Sequence, residues 1–116
     1  MSGGDIHPLL VVVLKKNEDF DTVHNQLFPA RIAWHNIGLN LKLNVDTLSN
    51  IEDQCRGDSK KGLRDMLELW FETDPAPTWE KLCKCLCSST VSKNVLAEQI
   101  QKFVKKQGKI YLNLAR

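Results

Sequence analysis

The sequence has no long apolar run. Its longest, Leu9 to Leu14, falls far short of the roughly 20 residues that a membrane-spanning helix needs. That run is also a poor signal peptide, because no basic residue precedes it and Lys15–Lys16 follow it without a small-residue cleavage site. Ser2 stands where N-myristoylation requires glycine, and no Asn-x-Ser/Thr acceptor occurs. A cytoplasmic chain without membrane insertion is expected. Cysteine is scarce and badly spaced for a secreted scaffold: of four, Cys83, Cys85 and Cys87 crowd into one short stretch and only Cys55 stands apart. Charge of one sign is lacking too, since a formal net charge of +2 is too small to suggest a polyanion binder. With 42% apolar and 26% charged residues the chain is neither disordered nor fibrous by composition. Its 116 residues suit one domain with a modest core.

What is present is helical periodicity. Phe20, Val23, His24, Leu27 and Phe28 recur at i, i+3, i+4, i+7, i+8, one face of a short helix that Pro29 ends. Ala33, Trp34, Ile37 and Leu41 make a second face. Gly38 lies inside it, where close approach by a neighbouring helix would justify a cost of about 1 kcal/mol against alanine. Asn44 or Asp46 can cap a third helix carrying Val45, Leu48 and Ile51, and Gly57 stops it. Asp58 or Ser59 caps a fourth with the clearest face, Leu63, Met66, Leu67, Trp70 and Phe71. Asp74-Pro75-Ala76-Pro77 must be a turn. Thr78 caps a fifth helix with Trp79, Leu82, Cys83, Leu86 and Cys87 on one side. Ser92 is read as the cap of a sixth, whose buried stripe is Leu96, Ile100 and Phe103, with Ala97 and Val104 beside it, and Gly108 as its end. Leu9–Leu14 is valine-rich, and Ile110, Leu112 and Leu114 alternate with Tyr111 and Asn113; both flanks read as strand-like. An isolated two-stranded pair is marginal in water, so the flanks are expected to lie outside the fold rather than to pair. The expected organisation is a flank or linker over 1–18, flexible at Met1–Gly4, a helical domain over 19–106 and a tail over 107–116. Helices this short need tertiary packing, so the fold class is all-α, six helices around one core.

The spacing of these residues resembles the death domain family. Trp34-x-x-Ile37-Gly38-Leu39-x-Leu41 resembles its second helix, Asp65-Met66-Leu67-x-x-Trp70 its fourth, Thr78-Trp79-x-x-Leu82-x-x-x-Leu86 its fifth and Leu96-Ala97-x-x-Ile100 its sixth. The resemblance covers about Asp19 to Val104. It implies an antiparallel six-helix Greek-key bundle, the death fold. It further implies a non-enzymatic adaptor for signal transduction of apoptotic or innate-immune type, whose partners are other death-fold domains, the same or different. The matched positions are mostly those of a core; with the helical faces they give the expected core as Trp34, Ile37, Leu41, Leu48, Ile51, Leu63, Leu67, Trp70, Trp79, Leu82, Leu86, Leu96, Ile100 and Phe103. The family's binding surfaces are variable charged patches, so no contact residue transfers by motif.

The remaining residues offer few groupings that could carry chemistry. On an intact helix Cys83 and Cys87 share a face while Cys85 points to solvent, so the three cannot converge as zinc ligands; Cys83 and Cys87 are expected in the core, and Cys85 as an exposed thiol open to oxidation. His24 and His35 have no spacing to a cysteine that would make a catalytic dyad. Gly57 and Gly62 lack the lysine and strand of a phosphate loop. Glu68 and Glu72 stack on an outer helix face, where no pocket would separate two carboxyl pKa values. No catalytic residue, metal, cofactor or small-molecule substrate is expected. Lys102, Lys105, Lys106 and Lys109 keep open an alternative, a small helical DNA-binding domain with a basic C-terminal helix; the acidic middle of the chain and the absence of polar base-readers favour a protein that does not bind nucleic acid.

Charge is distributed unevenly. Asn44 to Glu80 holds nine acids and four bases, and Lys93 to Arg116 six bases and one acid, a polarity suited to steering one copy onto another head to tail. The fourth helix turns Lys60, Lys61, Arg64, Asp65, Glu68 and Glu72 outward, with Lys61–Asp65 and Arg64–Glu68 spaced to pair. Glu52, Asp53 and Arg56 at the end of the third helix supply a second patch. These nine residues are the expected protein-interaction surface.

Overall fold

The computed structural model describes residues 8–114. Every regular element among them is helical: a 3-10 turn at Pro8–Val11, α1 (Lys16–Leu27), a 3-10 segment at Phe28–Ala33, α2 (Trp34–Asn40), α3 (Val45–Cys55), α4 (Ser59–Thr73), α5 (Trp79–Leu86) and α6 (Asn94–Leu114). The starts follow from side-chain capping. Thr47 N–H donates to Asn44 Oδ1 (3.0 Å), Lys61 N–H to Asp58 Oδ1 (3.1 Å) and Lys81 N–H to Thr78 Oγ1 (3.2 Å), each satisfying an amide that the first turn leaves without an intrahelical acceptor. α3 ends on Arg56 in the left-handed region (φ 49°), followed by Gly57 at φ 86°.

α4 is the hub. It packs against α1, α2, α3 and the Phe28–Ala33 segment, while α5 packs between α2 and α6. Leu63, Met66, Leu67 and Trp70 of α4 are fully buried, with Leu27, Ile37, Leu48, Leu82, Leu86 and Ile100 around them. Each such side chain contributes about 1.5–3 kcal/mol relative to exposure. Trp34 and Trp79 are buried at the margins of this core, Ile51 and Leu96 are nearly so, and Leu41, Phe71 and Phe103 are partly buried against it. Two glycines fix how closely α4 is approached. A Cβ on Gly38 would lie 2.8 Å from Leu48 Cδ2, and one on Gly62 would lie 2.5 Å from the Trp34 indole.

The structure corrects the flanks. The valine-rich run is no strand: Pro8–Val11 is a 3-10 turn, and Leu10 and Leu14 are buried against the bundle rather than outside it. Leu14 N–H donates to Pro77 O at 2.7 Å. With no strand among the described residues to accept its amides, the segment finds a backbone acceptor in the α4–α5 turn and buries Leu10 and Leu14 instead. The folded unit therefore reaches back before Asp19. The C-terminal flank is also not a strand, because α6 continues through Gly108 to Leu114. Lysine, glutamine and leucine are good helix formers, and one glycine costs only about 1 kcal/mol. Met1–Gly4 lies outside the described residues.

Three smaller expectations also give way. The second helical face is split, with a 3-10 segment at Phe28–Ala33 and a non-helical Ala30 (φ −102°, ψ 17°) before α2 begins at Trp34. Ser92 does not cap α6. It sits in the left-handed region at φ 53° inside a turn, its Oγ donates to Ser89 O, and the first α6 amide bond runs from Ala97 to Lys93 O. Cys85 and Cys87 are exchanged: Cys85 is buried (5% exposed) and Cys87, the C-cap of α5, is exposed. A helix packed on two sides hides more than one stripe, which a single amphipathic face does not anticipate.

Candidate interaction surface

The outward charges of α4 are largely spoken for. Lys61 Nζ donates to Asp65 Oδ2 at 2.8 Å, and Arg64 Nε lies 3.8 Å from Glu68 Oε1. At the far end Glu72 reaches across to Lys16 of α1 at 3.5 Å. The hydrogen bond to Asp65, then its charge, holds the Lys61 ammonium above its ordinary pKa. Exposed pairs of this kind are worth a few tenths of a kcal/mol to stability, so they leave the face free to exchange partners at little cost. On α3 the pattern differs. Glu52 is tethered to His35 Nδ1 at 2.8 Å, while Asp53 and Arg56, like Lys60 on α4, are exposed and carry no ion pair among the described residues. The nine residues thus form two neighbouring patches, since α3 packs directly on α4. Lys102, Lys105 and Lys106 are exposed along α6.

A polar node that the sequence did not reveal closes the α4–α5 turn. Asp74 accepts from Trp70 Nε1 (3.1 Å), from Ala76 N–H (2.9 Å) and from Lys81 Nζ at 3.0 Å on both oxygens, and Lys81 also donates to Ala76 O at 2.7 Å. Partial burial pushes the Asp74 carboxyl up, but the Ala76 amide, the Lys81 ammonium and the Trp70 indole outweigh it and hold the group below its ordinary pKa. The node satisfies the only polar atom of the fully buried Trp70 side chain. Beside it opens a groove of about 790 Å³, walled by the 40–44 connection, the end of α4 and the outer side of α5, and lined by Lys42, Lys81, Lys84, Leu43, Leu69 and Pro75 among others.

The thiols are dispersed through packing rather than gathered. Burial pushes Cys83 and Cys85 up to about 11, the state of an inert core thiol. Among the described residues no three His, Cys, Asp or Glu side chains converge as metal ligands would. His24 stacks on Phe20 at 6.4 Å and meets Phe28 at a tilt at 6.0 Å, and His35 lies on Trp34 at 5.3 Å; the Nε2 atoms of both are buried without a hydrogen-bond partner. Among the described residues neither histidine pairs with a cysteine: their contacts are with Phe20, Phe28, Trp34 and Glu52. No helix among the described residues is long and apolar enough to cross a membrane. Comparison with protein-family models, with curated proteins and with solved structures finds no match.

Proposed function

We propose that this chain is a protein–protein interaction module of the death-domain type, a non-enzymatic adaptor that associates with its own kind through charged helix faces in intracellular signalling. The six-helix Greek-key arrangement of that family is part of the proposal. One observation carries it. All three tryptophans of the motifs lie inside a helical core, at 6, 0 and 6% exposure for Trp34, Trp70 and Trp79, while the charges spaced along α3 and α4 face outward and are held only by weak pairs. Such a surface has its polar groups available for a partner and its apolar groups already used. Contacts between the acidic and basic sides of successive copies would be heterologous, so they propagate rather than close.

Reversing one charge tests this. Arg64→Glu replaces a side chain 65% exposed and loosely paired, so stability should change by no more than about 0.5 kcal/mol. Self-association measured by sedimentation velocity should weaken at least ~10-fold, as expected when like charges are juxtaposed across an interface. An unchanged association isotherm with an unchanged thermal midpoint would remove α4 from the binding surface.

A further inference from the structure

Exposed acids on α3 need a cationic counterpart, and one is present in the groove beside the Asp74 node, which runs from the 40–44 connection and the first turn of α3 to α5. The groove beside the Asp74 node is lined by three lysines against one aspartate. Lys81 is consumed by Asp74 and Ala76, but the other two are available. Lys84 is 75% exposed and reaches Glu80 only at 3.9 Å. Lys42 is exposed, has no ion pair among the described residues, and is held in the left-handed region at φ 66°, a conformation costing roughly 1–2 kcal/mol for a residue with a Cβ. Leu43, Leu69 and Pro75 provide an apolar wall between them.

The complementary shape lies on α3. Asp46 and Asp53 are seven residues apart, hence on one stripe and about 10 Å from each other along the axis. Both are exposed and unpaired among the described residues. Val45, next to Asp46, is 60% exposed, a large apolar side chain at the leading end of an acidic stripe. Counting Glu52 and Arg56, the outer side of α3 carries three acids and one base, the inverse of the groove.

We propose that the groove between Lys42 and Lys84 is the receptor for the acidic stripe of α3 from a second copy of this chain, with Asp46 and Asp53 meeting the two lysines and Val45 seated on the Leu43–Pro75 wall. This rests on the homotypic reading above and names the surface that its acidic patch binds. Asn44 and Thr47 at the start of α3 also line the groove, so the leading end of the stripe borders it, and the contact between charges is strengthened at low ionic strength.

The test is a charge-swap mixing experiment followed by sedimentation velocity at low salt. Lys42→Glu/Lys84→Glu leaves the stripe intact and reverses the groove; Asp46→Lys/Asp53→Lys does the converse. Each variant alone should self-associate at least ~10-fold more weakly than the wild-type chain, and an equimolar mixture should recover a wild-type-like affinity because each supplies what the other lacks. Thermal melts establish that each variant is folded; should the groove double variant unfold, Lys84→Glu alone takes its place. A wild-type chain that associates while the groove variant associates equally well overturns this contact and leaves the homotypic reading standing. So does a mixture that stays monomeric although both variants are folded. A wild-type chain that remains monomeric throughout overturns both.

Discussion

Replacing Gly62 by alanine separates tertiary packing from helix propensity by the sign of the effect. Gly62 lies near the start of α4 and is buried. Propensity alone favours alanine there by about 1 kcal/mol. The added Cβ would sit 2.5 Å from both Cε2 and Nε1 of Trp34 and 3.0 Å from its Cδ1. A rigid indole only 6% exposed cannot turn aside as the tip of a flexible side chain does. Overpacking of this kind costs typically ~1–3 kcal/mol and, for so short a contact, falls at the upper end. The net expectation is a loss of about 1–2 kcal/mol, or roughly 4–16 °C in Tm for a domain of this size. Urea melts followed by circular dichroism and Trp fluorescence measure it directly. Gly57→Ala is the control: nothing lies within 4 Å of its Cβ, so any loss there comes from its φ of +86° alone. A Gly62→Ala protein as stable as wild type, or more so, would refute the close contact between α4 and Trp34.

Two further outcomes concern the chemistry of single groups. Asp74→Asn should cost about 1.5–3 kcal/mol at pH 7, the scale of hydrogen bonds to a charged group. Because the native carboxyl titrates below its ordinary value, that stabilisation is complete above the unfolded pKa of about 3.9 and is lost as pH falls through the lower native pKa. The gap between wild type and Asp74→Asn in urea midpoints should therefore close in acid; a gap that persists at pH 2 would contradict the node. Thiol titration of the native chain at pH 8 should find one fast cysteine, Cys87, while Cys55, Cys83 and Cys85 react only on denaturation, since they are buried and a thiol with a pKa of about 11 is ~0.1% thiolate at that pH. Mass mapping that finds Cys85 labelled first would contradict the packing of α5 on two sides.

The core was legible in the sequence because its signal is local. Leu63, Met66, Leu67 and Trp70 repeat with the helical period, and a stripe of that width on α4 has only one place to go, the interior where all four are buried. Capping residues were equally readable at Asn44, Asp58 and Thr78, where one side-chain oxygen answers one amide. The flanks were misread for a physical reason: valine favours strands only where a pleated partner surface exists, and at Leu9–Leu14 the neighbours are α5 and α6. Cys85 was misplaced because α5 is enclosed from two directions, and nothing in eight residues announces a second neighbour. The charged patches on α3 and α4 could be named from spacing. The groove could not, since Lys42, Asp74 and Lys84 come from three separated segments that only the packing of the bundle joins.

Molar mass by light scattering, on the wild-type chain at about 20 mM and 1 M NaCl, tests most directly whether outward charge is what joins one copy to another. At low salt the screening length exceeds the reach of a side chain, and at 1 M it falls to about 3 Å. The expected result is a mass well above the 13.2 kDa monomer at low salt that returns to the monomer at high salt, without a change in helicity. A mass of one chain at both concentrations, or an oligomer indifferent to salt, would contradict it.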